Sequence, residues 1–95
     1  SMMILYEGEH YNVAYNGILL EGIYLGKVQK SHRILLNISP DSKEIPIHFP
    51  VISIKNIKMT DNKIILNGLQ RKINTTPEEQ VYLNSIGKKH WGQNL

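Results

Sequence analysis

The chain has 95 residues, no cysteine and a formal net charge of +3. That length suits one small domain, the missing thiols exclude a disulfide framework, a thiolate nucleophile or a thiolate metal site, and the mild positive excess permits nucleic acid or acidic partners without making a polycation. No apolar run nears the roughly 20 residues of a membrane helix, and the opening Met2 to Tyr6 lacks a signal peptide's basic flank, so one soluble, cytoplasmic domain over residues 2–95 is expected.

Met3 to Tyr6 is a short apolar run, after which Tyr11, Val13 and Tyr15 alternate with His10, Asn12 and Ala14 in the period of a half-buried strand. Asn16-Gly17 suits a two-residue hairpin turn, with Ile18 to Leu25 as the returning strand. Gly22 and Gly26 in that strand predict a bend or a close backbone approach. A turn is expected at Ser31, followed by a strand from His32 to Ile38 with Ile34, Leu36 and Ile38 on one face. Ser39 to Glu44 reads as a loop.

Ile45, Ile47 and Phe49 alternate, but Pro46 and Pro50 lack the donors of a central strand, which predicts an edge or a crossing. Ile52 and Ile54 share one parity while Ile57 and Met59 share the other, so a β-bulge is expected at Lys55-Asn56 with both pairs buried. Thr60-Asp61-Asn62 turns the chain into Lys63 to Asn67, and Asn67-Gly68 leads to a last short strand, Leu69 to Ile73. Thr76, Pro77 and Glu79 form a helix start with a capping box. The helix should cover about residues 77–89, with Tyr82, Leu83 and Ile86 on its packed face and Gly87 as a plausible stop. The expected fold is mainly β: a small, strongly bent five-stranded barrel over about residues 3–73, closed by this helix.

The stretch YNVAYNGILLEGIYLGKVQKSHRILLNI resembles the first conserved block of Sm and Sm-like proteins, with the bend glycine at Gly22 and the polar turn near Lys30 to Arg33. The later IILNGLQRKI is similar to the second block, where a strand pair is joined across a glycine, here Gly68. The resemblance implies an SH3-like or Sm-like barrel, RNA binding and assembly into a ring or smaller homo-oligomer. Where the family carries an RNA-contacting Asp and Asn, this chain has Ser31 to Arg33, and Asn67 replaces the family's Arg.

Lys27, Lys30, His32 and Arg33 form the densest basic group, with Tyr24 close in sequence. Cations beside an exposed ring suit single-stranded nucleic acid, because they neutralise phosphates while the ring stacks on a base, and His32 would add charge as pH falls toward ~6.5. The bland reading is a solvated hairpin with a core tyrosine. Trp91 either covers an open end of the barrel or anchors a protein partner. His10, His32, His48 and His90 lack metal-site spacing, and no carboxylate pair, phosphate loop or nucleophile elbow is present, so no metal, cofactor or catalytic residue is expected. Two functions stand against each other: a nonenzymatic RNA or nucleic-acid module, and a protein-interaction adaptor of viral or mobile-element origin using an edge strand or Trp91. A third, a small enzyme or nucleotide binder, would use His32 or His48.

Overall fold

The computed structural model describes residues 4–41 and 44–92. Its strands are β1 His10–Tyr15, β2 Ile18–Val28, β3 Ser31–Leu36, β4 Val51–Ile54, β5 Asn56–Thr60, β6 Lys63–Asn67 and β7 Arg71–Lys72, followed by α1 Pro77–Trp91. All seven strands belong to one sheet in the order β5-β6-β1-β2-β3-β4-β7. Each neighbouring pair is antiparallel except β1 and β6, which run parallel.

The mainly β class with a C-terminal helix is therefore right, while the strongly bent five-stranded barrel is corrected to an open, mixed, seven-stranded sheet. Two pairings account for the difference. Asn67-Gly68 does not fold β7 back onto β6; β7 crosses to pair with β4, Ser53 opposite Arg71. Lys55 interrupts what would be one long strand, so β4 and β5, one residue apart in the chain, lie near opposite ends of the ladder. The sheet has to curl to allow this, but hydrogen bonds do not close it.

Curling gives β3 two buried faces. Ile34 packs inside with Val13, Tyr24, Leu36, Ile52 and Ile64, whereas Leu35 points the other way to Ile23, Phe49, Val51 and Leu83 beneath α1. Burying a side chain of this kind contributes roughly 1.5–3 kcal/mol, so β3 lies at the centre of both clusters. The one-sided pattern expected for Ile34, Leu36 and Ile38 fails for that reason, and Ile38, beyond the strand end, is exposed. Ile52 and Ile54 are buried as expected, but Ile57 and Met59 are only half-buried because β5 has a neighbour on one side alone.

The β1–β2 hairpin turns at Asn16-Gly17 with both φ positive, 48° and 80°, the geometry that the Asn-Gly pair favours. β2 runs on to Val28 through a register shift between Tyr24 and Gly26. Gly26 has φ of 95°, which an L side chain rarely adopts.

Residues 45–50 form the predicted crossing, with no ladder of their own. Helix side chains serve its backbone instead: Asn84 Oδ1 accepts from the Phe49 N–H at 3.1 Å, Asn84 Nδ2 donates to the Ile47 carbonyl at 3.0 Å, and Gln80 Nε2 donates to the Phe49 carbonyl at 3.3 Å. The Thr76 capping box forms as the sequence implies. Gly87 does not stop the helix, which passes through it to Trp91. Leu83 is buried and Ile86 half-buried, but Tyr82 is 65% exposed rather than packed. Among the described residues, no helix is long and apolar enough to cross a membrane.

Candidate functional site

The basic group read from the sequence is divided by the strands that carry it. The β2–β3 turn lies at Gln29 and Lys30, whose φ values are 50° and 69°, rather than at Ser31. Lys27 stands opposite His32, and His32 shares the parity of Ile34 on the inner face; Arg33 shares the parity of Leu35 and lies on the helix-side face. Lys27 and Lys30 are exposed.

Tyr24 is not an open stacking platform. Its ring is 6% exposed within the inner cluster, and its hydroxyl oxygen lies 2.9 Å from His32 Nδ1. Burial, then the charge of Glu7 and the Tyr11 hydroxyl, raises the Tyr24 hydroxyl above its ordinary range. Burial, and secondarily Lys27, holds His32 below the usual imidazole value, so the added positive charge expected of it near pH 6.5 is deferred to lower pH.

The register gathers cations that are far apart in the chain. Arg33 pairs with Ser53, and Ser53 pairs with Arg71, so two arginines flank a serine in one row across β3, β4 and β7. Strand spacing of about 4.8 Å makes the row roughly 10 Å wide. Beside it, a cleft of about 540 Å³ is lined by Ser31, Ser53, Lys55, Asn56, Asn67 and Arg71. Lys30 precedes Ser31 at the adjoining turn. The sequence reading missed Lys55 as a member of this end. The polar parity of Ser31, Arg33 and Ser53 was the available signal, but it needed the correct strand order to be interpreted.

A second concavity, about 490 Å³, runs between α1 and the sheet along Ile23, Leu25, Val51, Leu83 and Ile86. Arg33 lines it and has a buried Nε without a hydrogen-bond partner. Glu7 and Glu79 line it as well, so its charge selects no single ligand.

Trp91, the expected partner anchor, lies at the end of α1 against the sheet. Its ring centroid is 5.7 Å from that of Phe49, and its indole N–H donates to Glu21 Oε2 at 2.7 Å. Glu21 Oε1 also accepts from His10 Nδ1 at 2.8 Å, and His10 Nε2 meets His90 Nδ1 at 2.7 Å. Nothing in the sequence joined these four residues, which the β1–β2 hairpin and the last helical turn bring together. Among the described residues, no group of three or more His, Cys, Asp or Glu is placed to hold a metal ion. No family model matches the chain, and no curated protein or solved structure matches it significantly.

Proposed function

We propose that this protein is a nonenzymatic β-sheet module that binds single-stranded RNA or another single-stranded nucleic acid. The observation that carries the reading is the convergence of Lys55 and Arg71 on one cleft with Ser31, Ser53, Asn56 and Asn67, next to which Lys30 stands at the β2–β3 turn. Cations there would neutralise phosphates, while hydroxyl and amide groups fix the strand's position by hydrogen bonds to phosphate and sugar. Arg33 stands in the same row as Ser53 and Arg71, whereas Lys27 lies opposite His32 on the other face. The buried Tyr24 leaves backbone contact as the main source of affinity, which favours weak sequence preference. The Sm-like pattern of the sequence supports the same class of ligand. In the oligomeric form of this reading, a second copy would add to β5, which is paired on one side only.

The test is fluorescence anisotropy of a labelled single-stranded oligonucleotide at increasing salt. Affinity that falls linearly on logarithmic axes supports phosphate neutralisation. Absent or salt-independent binding overturns it and favours the adaptor, for which the open edges of β5 and β7 are available. An adaptor anchored on Trp91 would first have to break the indole bond to Glu21.

A further inference from the structure

We propose that His10 and His90 form an acid-opened latch that holds the last turn of α1 on the β1–β2 hairpin. The argument starts from proton counting. An ionised Glu21 only accepts hydrogen bonds, so His10 Nδ1, 2.8 Å from Glu21 Oε1, must carry a proton. In neutral His10, Nε2 is then the acceptor, and His90 Nδ1–H donates to it across 2.7 Å. One added proton is accommodated: on His90 Nε2 it leaves the contact unchanged, and on His10 Nε2 it reverses donor and acceptor. A second puts N–H groups on both facing atoms, and a hydrogen bond becomes a contact between two imidazolium ions.

The surrounding charges set where this happens. Glu21 on β2 offsets one positive charge, and it is already shared between His10 and the Trp91 indole. Burial first, then His10 and Lys89 on α1, disfavour a charged His90, against the weaker pull of Glu21. The groove wall reaching His90 carries Glu7, Tyr24 and Arg33 from the sheet side and Glu79 and Tyr82 from α1; near His10 stand Tyr11 and the uncharged Asn12 and Asn62. The charged form of His90 is therefore disfavoured, and its protonation falls below the ordinary imidazole value of about 6.5. Opening withdraws Trp91 from Phe49 and bares part of the apolar cluster formed by Ile23, Leu35 and Phe49.

Trp91 is the only tryptophan, so its emission reads the latch directly. Between pH 7 and 5, the unmutated protein should show a reversible red shift with a midpoint below about 6.5, while far-UV circular dichroism retains the sheet. His90→Asn and His10→Asn should each abolish that transition, and His32→Asn, which removes the other imidazole with a lowered pKa, should leave it in place. An unchanged transition in His90→Asn, or none in the unmutated protein, would overturn the latch. If the latch variants fail to fold, hydrogen exchange of the unmutated protein decides: acceleration confined to residues 86–91 in acid supports the latch, and uniform acceleration overturns it.

Discussion

Gly87 faces the ring of Phe49 so closely that a β-carbon on it would lie 2.6 Å from both Cγ and Cε2. Two effects therefore oppose each other in Gly87→Ala. Helix propensity favours alanine by about 1 kcal/mol, while overpacking a fixed aromatic ring costs about 1–3 kcal/mol. Phe49 is fully buried and its crossing segment is tied to Asn84 and Gln80, so it has little room to retreat. Gly87→Ala should lower stability by about 1 kcal/mol overall in urea denaturation. A variant more stable than the parent would show that the ring yields.

Asn84 offers a second measure of the same interface. Asn84→Ala removes the acceptor for the Phe49 N–H and the donor to the Ile47 carbonyl, in a segment whose prolines preclude a regular ladder. Leaving the part-buried Phe49 N–H unpaired costs about 1–3 kcal/mol, whereas water can replace the bond to the exposed Ile47 carbonyl. The loss should appear as a lower urea midpoint with an unchanged slope, because the surface exposed on unfolding stays the same.

Much of this architecture is legible in the sequence where the local chemistry is decisive. Asn16-Gly17 and the Thr76-Pro77-Glu79 start each specify a conformation through their own side chains and backbone limits. Gln29-Lys30 carries no such signal, yet both residues adopt positive φ, so the turn was displaced to Ser31 and the faces of His32 and Arg33 were not separated. The parallel pairing of β1 with β6 and the crossing of β7 to β4 depend on global curvature, which strand periodicity does not encode. For the same reason Glu21 and Trp91, 70 positions apart, could not be joined in advance. The apolar run IPIHFPVISI is largely satisfied within the chain, since Phe49, Val51, Ile52 and Ile54 are buried while Ile47 stays widely exposed.

Acid should weaken the fold through His32. Its folded-state pKa is lowered, first by burial and then by Lys27, so the unfolded chain takes up the proton more readily. The associated stability is fully present above the unfolded value of about 6.5 and is lost as pH falls through the folded value. His90 has the same sign. His32→Asn should therefore make the decline of urea midpoint below about pH 6.5 shallower without removing it. Equal slopes in the two proteins would mean that His32 is not linked to folding. Tyr24, whose hydroxyl is raised, has the opposite sense: its contribution is present below about 10 and lost as pH rises further.

The nucleic-acid reading makes its strongest claim in a comparison of two triple variants with equal charge loss. Lys30→Ala/Lys55→Ala/Arg71→Ala removes the two cations that line the cleft and Lys30 at the turn beside it. Lys58→Ala/Lys63→Ala/Lys88→Ala removes three from β5, β6 and the outer surface of α1. Long-range attraction alone would weaken both alike, since net charge falls from +3 to 0 in each. Direct phosphate contacts would be lost only in the first, with the logarithmic salt slope for a single strand falling by about 0.7 per contact, or about 2 for all three. The first variant should also retain its urea midpoint, because Lys30, Lys55 and Arg71 are exposed and none is in either core cluster. Anisotropy titrations from about 50 to 200 mM salt cover the range in which such contacts change affinity by orders of magnitude. Equal losses in the two variants would replace a site at this cleft with diffuse electrostatics, and a steep slope surviving in the first variant would move the contacts elsewhere on the sheet.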